Sequence, residues 1–258
     1  MNQRARSQTD GSSSSRPDHS STDVSRETLS APEEGRQLFG EHVAAVERYA
    51  ELLATAGVER GLLGPGEVGR LWQRHLLNCG VVAPLVPAGS DVCDVGSGAG
   101  LPGVVLALFR PDLRVTLLDS QLRRASFLSE VTSILGLANV EVVRARAEDH
   151  PGRYDVVTSR AVAPLGRLAE MVAHLCRPGG VVLAIKGQRA ETELKAAARR
   201  LPALGFARSS IERLGEGIVS PPTTVGRRAR RAPRGRCAAG RTGGGRARTS
   251  RRRPRRAP

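Results

Sequence analysis

The residue types most suited to chemistry in this chain lie in residues 91–103, which read DVCDVGSGAGLPG. The segment predicts a short buried strand, a tight glycine-rich turn and the start of a helix at Pro102. Glycine has no Cβ, so its backbone can turn tightly and approach a ligand closely. A helix N-terminus presents unpaired N–H groups, which suit a polar or anionic part of a ligand. The segment therefore predicts a ligand site.

An acidic residue follows the next apolar run and narrows the kind of ligand. Asp119 comes directly after residues 115–118, nineteen positions beyond Gly100. At the end of a second strand, a carboxylate can accept hydrogen bonds from both ribose hydroxyls of a nucleoside. The turn and Asp119 together predict a cofactor of the adenosine type.

Two interpretations of the turn differ in the cofactor. Gly98, Gly100 and Gly103 match the G-x-G-x-x-G fingerprint of dinucleotide sites, which is weak evidence alone. Asp94 and Gly96 begin a different pattern, D-x-G-x-G-x-G, which resembles the first motif of S-adenosylmethionine-dependent methyltransferases. A carboxylate facing the turn suits the ammonium of a methionine moiety and would repel a pyrophosphate. We favour S-adenosyl-L-methionine over a dinucleotide; a turn without any ligand is the third alternative.

The charge of the chain is concentrated at one end. The formal net charge is +15, but fourteen of the 40 basic residues are arginines within residues 226–258, a segment that has no acidic residue. This leaves 26 basic and 25 acidic residues over positions 1–225. The overall charge therefore says little about the surface of the folded part.

The cysteines and the apolar runs indicate the compartment. The cysteines are far apart and include no C-x-x-C pair, which argues against a zinc site or a disulfide framework; they are Cys79, Cys93, Cys176 and Cys237. The chain has no run of eighteen apolar residues and no signal-peptide pattern. We predict a cytoplasmic monomer without a metal or a membrane partner.

Composition divides the chain into three parts. Residues 1–29 are polar and predict a disordered segment. Residues 30–225 form the predicted domain, which begins with a helical cap over residues 30–80. In this cap a capping-box pattern at Ser30–Glu33 precedes a helix that runs to Gly57, and a second helix covers Glu67 to Asn78.

From Asp91 the pattern alternates between strands and helices. Strands are predicted near residues 91–95, 114–119, 140–144, 154–158 and 180–185. Successive strand–helix–strand units predict an α/β fold with a parallel, Rossmann-like sheet and helices on both faces. Ligands of such sheets bind outside the carboxyl ends of the strands, so the informative residues are those that follow each strand.

Several segments in these places closely resemble one family in combination. They are residues 74–79 (RHLLNC), the glycine turn, LLDS at 117–120, RAED at 146–149, TSRAVA at 158–163 and KGQ at 186–188. The chain is similar to the small-subunit ribosomal RNA guanine-N7 methyltransferases, also known as methyltransferase G or glucose-inhibited division protein B. The resemblance covers roughly residues 36–225. It implies methylation of one guanine of 16S rRNA at N7, with that RNA or the small ribosomal subunit as partner.

The resemblance also implies a set of site residues. Gly96 and Leu101 would line the methionine side of the cofactor pocket. Asp119 would hold the ribose, and Ala147 with Glu148 would meet the adenine. The full predicted set of cofactor-binding residues is Asp94, Gly96, Gly98, Leu101, Asp119, Ala147, Glu148 and Arg160.

Arg160 is predicted at the acceptor side, where it would position substrate or cofactor. Guanine N7 carries a lone pair and no proton, so its methylation needs no general base and no catalytic acid–base pair is predicted. His75 is interpreted as a packed, hydrogen-bonded histidine rather than a base. Lys186 is either an exposed cation at a strand end or a phosphate contact. Asn78 stands where the family has an aspartate, so the charge of that residue is lost.

The C-terminal segment departs from the family. Phe206–Leu214 predicts a sixth strand and residues 221–225 the start of a seventh, but the arginine-rich composition from Gly226 onward predicts no strand. Residues 226–258 are therefore expected to be a disordered tail. The tail is either an electrostatic RNA-binding arm or, as we prefer, the product of a reading-frame shift. In the second case the chain could be a non-catalytic remnant that binds cofactor or RNA.

Overall fold

The computed structural model describes residues 29–232. The predicted N-terminal disordered segment lies outside this range except for Leu29, and the predicted tail lies outside it beyond residue 232. Cys79, Cys93 and Cys176 are buried free thiols, whereas Cys237 is outside the described residues. No helix within residues 29–232 is long and apolar enough to cross a membrane.

A single sheet of seven strands organises these residues. Its strands are β1 (Asp91–Val95), β2 (Arg114–Leu118), β3 (Val140–Val143), β4 (Tyr154–Arg160), β5 (Cys176–Lys186), β6 (Phe206–Leu214) and β7 (Thr223–Arg230). The spatial order is β3-β2-β1-β4-β5-β7-β6. Strands β1 to β5 are mutually parallel, and β7 runs antiparallel to both of its neighbours. All five predicted parallel strands are present, which confirms the α/β fold.

Successive side chains of a strand point to opposite faces of the sheet, and both faces carry apolar side chains. Helices therefore cover both faces. The helices that follow β1, β2, β4 and β5 are, in order, α4 (Gly103–Phe109), α5 (Leu122–Ile134), α6 (Leu165–Val172) and α7 (Ala190–Ala197). Val92 of β1 belongs to the core shared with α4, α5 and the N-terminal helices. Its neighbour Cys93 belongs to the core shared with α6 and α7.

The N-terminal cap is more broken than the sequence predicts. It comprises α1 (Glu33–Phe39), α2 (Val43–Leu52), a π turn at Leu53–Gly57, a 3-10 helix at Pro65–Arg70, a second π turn at Trp72–Leu76 and α3 (Leu77–Gly80). The predicted capping box is wrong, since Pro32 is the N-cap of α1 and no side chain caps it. Trp72 anchors the cap by donating its indole N–H to the Leu29 carbonyl at 2.9 Å.

Strand β7 corrects the prediction made for the sequence after Val225. The strand continues through Gly226 to Arg230 and pairs with β5 on one side and β6 on the other. Two neighbouring strands present complete rows of backbone donors and acceptors, and pairing with them overrides the weak β propensity of this composition. The prediction that no strand forms here is wrong for residues 226–230.

Candidate active site

The glycine turn after β1 has the backbone conformation that the sequence predicts. Gly96, Gly98 and Gly100 have φ values of 69°, 60° and 103°, a region that residues with a Cβ rarely adopt. A Cβ on Gly96 would lie 2.5 Å from Cγ2 of Val162, so the β4 loop closes directly over the turn. The turn must therefore be glycine both for its conformation and for this packing.

Asp94 holds the turn from beneath and does not face the cavity. Its side chain is fully buried; Oδ2 accepts the Gly103 N–H at 3.0 Å, and Oδ1 accepts the Thr158 hydroxyl at 3.1 Å. Burial raises the pKa of Asp94 to about 6, although these hydrogen bonds oppose the shift. Both carboxylate oxygens of Asp94 and the Gly103 N–H are thus used inside the protein, and the contact of Asp94 with a ligand ammonium stays a prediction.

The cap supports the same turn from its other side. Tyr49 of α2 is fully buried and donates its hydroxyl to the Ala99 carbonyl at 2.7 Å. A Cβ on Gly100 would lie 2.7 Å from that hydroxyl oxygen. Sequence reasoning missed Tyr49, because its position on an apolar helix face indicates only core packing.

Asp119 lies at the end of β2 and binds the turn directly. Its Oδ2 accepts the Gly98 N–H at 3.0 Å, and its Oδ1 accepts the Gln121 N–H at 2.9 Å. The Arg124 guanidinium lies 3.6 Å from Oδ2. Asp119 is 3% exposed and lines the cavity, so its orientation is fixed where a ribose is predicted to bind.

The residues after β3 form a short 3-10 helix, Ala147–Asp149, at the rim of the same cavity. Ala147 is buried, whereas Glu148 is exposed and forms a long ion pair with Arg146 at 3.9 Å. This combination of an apolar floor and a carboxylate at the rim suits a flat heterocycle that carries an amino group.

Arg160, at the end of β4, is tied to the cap. Its Nη1 donates to Nδ1 of His75 at 2.8 Å, and Nε2 of His75 lies 2.9 Å from Oε2 of Glu67. Burial and the charge of Arg160 lower the pKa of His75. The histidine is therefore packed and hydrogen-bonded, in agreement with the sequence interpretation.

Two other candidates lie away from the cavity wall. Lys186 bonds internally, with its Nζ 2.9 Å from both the Ala163 carbonyl and Oε2 of Glu193. The interpretation of Lys186 as an exposed cation is wrong, because its side chain is mostly buried within the protein; the phosphate contact stays a prediction. Asn78 accepts a hydrogen bond from the Thr223 hydroxyl and so connects the cap to β7.

One cavity of about 750 Å³ brings the predicted residues together at the carboxyl ends of the parallel strands. Of the predicted cofactor residues, the cavity is lined by Gly96, Gly98, Leu101, Asp119, Ala147, Glu148 and Arg160. Val162, from the TSRAVA segment, also lines it, and its other walls include Leu62, Leu63, Glu67, Arg124 and Met171, for which the sequence analysis predicts no role at the site. The volume suits a ligand with a nucleoside and an amino acid part. No group of three or more metal-ligating side chains occurs among residues 29–232.

Comparison with known proteins decides the family. The model of the family described as GidB, rRNA small subunit methyltransferase G, matches residues 42–220. The chain belongs to this family. S-adenosyl-L-methionine, the cofactor predicted from the sequence, is the methyl donor that membership of methyltransferase G indicates.

Individual relatives agree with this membership. A Streptomyces avermitilis protein named ribosomal RNA small subunit methyltransferase G is 57% identical over 198 residues, covering 76% of this chain and 83% of its own length. A protein of the same name from Mycolicibacterium smegmatis is 49% identical over 227 residues, covering 86% of this chain and 96% of its own length. Among solved structures, the S-adenosylmethionine-dependent methyltransferase SibL matches with a TM-score of 0.51 at 20% identity, covering 76% of this chain and 70% of SibL. This last likeness confirms the fold class.

Proposed function

We propose that this protein transfers a methyl group from S-adenosyl-L-methionine to N7 of a guanine in 16S rRNA. The observation that carries the proposal is the cavity that joins the glycine turn, Asp119 and Arg160 in a chain of this family. The relatives are named for methylation of small-subunit ribosomal RNA, which supports that RNA or its subunit as the partner. Such a substrate also supports a cytoplasmic location.

The cavity residues divide the cofactor between them in this proposal. Gly96, Gly98 and Leu101 would border the methionine part, and Asp119 would accept hydrogen bonds from the ribose hydroxyls. Ala147 and Glu148 would contact the adenine. When bound, the cofactor supplies an electrophilic methyl group on a sulfonium. Asp94 keeps the turn in shape through its bonds to Gly103 and Thr158.

The state of His75 in the cavity wall fits methylation at N7. The N7 lone pair attacks without losing a proton, so the protein has to position the ring and exclude water. Both ring nitrogens of His75 are already engaged, by Arg160 and by Glu67. His75 is therefore a poor candidate for accepting a proton from the substrate.

Arg160 is proposed to bind an anionic group at the acceptor side, either an RNA phosphate or the cofactor carboxylate. The guanine gains positive charge as the methyl group is transferred, so a guanidinium pressed against the ring would oppose the reaction. A guanidinium has several N–H donors, and Arg160 uses one of its nitrogens for His75. The remaining donors can meet an anion in the cavity.

Methyl transfer to purified 16S rRNA and to small subunits tests the proposal. We expect wild-type protein to form N7-methylguanine, detected by nucleoside mass spectrometry. Arg160→Ala should lower the rate by about a hundredfold, because a misplaced substrate loses near-attack geometry. Arg208→Ala, at an exposed position on β6, is the matched control and should leave the rate unchanged. An unchanged rate in Arg160→Ala would remove that residue from the mechanism.

Calorimetry separates this proposal from its alternatives. We expect S-adenosyl-L-methionine to bind and a nicotinamide dinucleotide not to bind. The opposite result would contradict the methyltransferase interpretation of the turn. Cofactor binding without methyl transfer to either RNA substrate would favour a non-catalytic remnant of the family.

A further inference from the structure

Three side chains from separate elements form a continuous hydrogen-bonded chain along the cavity wall. Glu67 lies in the 3-10 helix Pro65–Arg70, His75 in the π turn Trp72–Leu76, and Arg160 at the end of β4. Glu67 and His75 are 2.9 Å apart, and His75 and Arg160 are 2.8 Å apart. All three line the cavity, so their hydrogen bonds connect the cap to the acceptor side of the site.

The partners of the imidazole define its protonation. A guanidinium can only donate, so Nδ1 of His75 must accept the hydrogen bond from Arg160. Nε2 then carries the proton and donates it to the carboxylate of Glu67. The arrangement requires a neutral ring in one tautomer, and Glu67 selects that tautomer.

The surroundings of His75 favour this neutral state. Its side chain is 14% exposed. Burial, then the charge of Arg160, lower its pKa below the ordinary value, while the hydrogen bond and charge of Glu67 act in the opposite direction. The charged groups that face the ring are Glu67, Arg160 and Arg74 of its own π turn. The last of these bonds to the other oxygen of Glu67 at 3.1 Å.

We propose that His75 is a positioning residue whose neutral ring, oriented by Glu67, fixes the guanidinium of Arg160 at the acceptor side, and whose protonation releases it. The proposal rests on the proposed methyltransferase function. A free arginine side chain samples many rotamers, and a fixed acceptor lowers the entropy lost when Arg160 meets its anion. A proton on Nδ1 would remove the acceptor and place two positive charges side by side.

The proposal predicts that kcat/KM falls at low pH, and that this acid limb of the pH profile reflects protonation of His75. As pH falls through the lowered pKa of the ring, Arg160 loses its side-chain partner and keeps only the Arg74 carbonyl at 3.5 Å, so kcat/KM falls. His75→Leu removes the acceptor at every pH and should lower kcat/KM by about tenfold across the profile. His75→Asn supplies an oxygen near the position of Nδ1 that gains no proton. We expect it to retain most of the activity and to lose the acid limb.

Glu67→Gln separates orientation from charge. The amide oxygen can still accept the Nε2–H, but the negative charge that raises the pKa of His75 is gone. The acid limb should therefore move to lower pH while kcat/KM at neutral pH changes little. His174→Asn, at an exposed histidine beyond α6, is the matched control and should keep the wild-type profile. A wild-type acid limb in His75→Asn, or wild-type kcat/KM in His75→Leu, overturns the proposal.

Nitrogen-15 NMR of the imidazole tests the same arrangement without any methyl transfer. We expect His75 in wild-type protein to be the Nε2–H tautomer at neutral pH, and Arg160→Met to raise its pKa because a neighbouring positive charge is removed. An Nδ1–H tautomer, or an unchanged titration in Arg160→Met, contradicts the proposal. If the enzyme assay fails for wild-type protein while NMR shows the expected tautomer, the proposed function fails and the positioning role stands.

Discussion

Asp94 and Arg228 are both fully buried in the same sheet, and the protein surrounds them differently. Asp94 of β1 accepts hydrogen bonds from the Gly103 N–H and the Thr158 hydroxyl. Arg228 of β7 has three guanidinium nitrogens with no hydrogen-bond partner among residues 29–232. Burial lowers the pKa of Arg228 to about 10, which shows that its charge is poorly compensated. Glu193 attracts it, but that carboxylate already bonds to Lys186.

The contrast distinguishes two regions of the molecule. Among residues 29–232, the buried side-chain nitrogen and oxygen atoms of the strands around the cavity all have hydrogen-bond partners, as a binding site that must hold its shape requires. The β5–β7 part of the sheet buries the Arg228 charge without a hydrogen-bond partner, which costs several kcal/mol in a protein interior. The family match ends at residue 220, before β7 begins at Thr223. We infer that the cavity region is adapted to its role, whereas the chemistry of β7 is not adapted to its position.

The largest effect on stability is expected from removing Asp94, the buried charge whose hydrogen bonds are satisfied. Asp94→Ala would leave the Gly103 N–H and the Thr158 hydroxyl buried without a partner, so we expect about 3 kcal/mol of destabilisation. Cofactor affinity should fall with it, since the turn loses its anchor. Urea denaturation measures the first quantity and calorimetry the second. Glu216→Ala, at an exposed site, is the control; a loss no larger than that control would show that Asp94 does not hold the turn.

Replacing Arg228, the buried charge without a partner, should stabilise the protein rather than destabilise it. Arg228→Met keeps most of the side-chain volume and removes the unpaired guanidinium, so we expect stability to rise by about 2 kcal/mol. Arg227→Met provides a neighbouring control, because that side chain is exposed and its ion pair with Glu212, at 3.5 Å, is worth little. If urea denaturation shows that Arg228→Met is less stable than wild-type protein, the claim that the buried Arg228 charge destabilises β7 is wrong.

The burial of Arg228 without a partner also bears on the hypothesis that the tail results from a reading-frame shift. A frame shift near codon 225 predicts that another frame of the nucleotide sequence encodes an apolar strand at the β7 positions. If no frame does so, the arginine-rich strand is the intended sequence of this protein and the hypothesis is wrong.

A smaller effect is expected in the pH dependence of stability. The pKa of Asp94 is about 6 in the folded protein against an ordinary value of 3.8. Between these values the unfolded chain has released this proton and the folded chain retains it, so stability falls as pH rises through the window. One proton corresponds to a slope of at most about 1.4 kcal/mol per pH unit. Asp94→Asn should remove this part of the slope; identical slopes in the two proteins would show that Asp94 titrates normally.

The smallest effect is expected from trimming one of the partners of Asp94. Thr158→Val removes a single hydroxyl donor, and we expect a loss of about 1 kcal/mol together with a further rise in the pKa of Asp94. Chemical denaturation at several pH values measures both. A pKa that falls in this variant would contradict the role assigned to the hydroxyl.

The sequence predicts the sheet and most of the cavity because both follow from local patterns. Alternating strand and helix signals predict that the strands are parallel, and parallel strands bring their carboxyl ends to one edge. Asp119, Ala147 and Arg160 therefore meet, although they are far apart in the chain. The glycine conformations follow from residue type alone.

The remaining features depend on contacts that no local pattern encodes. Asp94 has the expected position, but its carboxylate turns inward to Thr158, a partner 64 residues away. Arg160 meets His75 across 85 residues, and neither sequence neighbourhood indicates the other. Strand β7 forms against its own propensity because β5 and β6 supply the pairing groups.

The most direct test of the proposed function is to map N7-methylguanine in 16S rRNA from cells that lack their own methyltransferase of this family. We expect expression of this chain to restore one N7-methylated guanine, and Arg160→Ala expressed at the same level to leave it unmethylated. A folded wild-type chain that binds S-adenosyl-L-methionine and yet restores no N7-methylguanine would contradict the proposed activity.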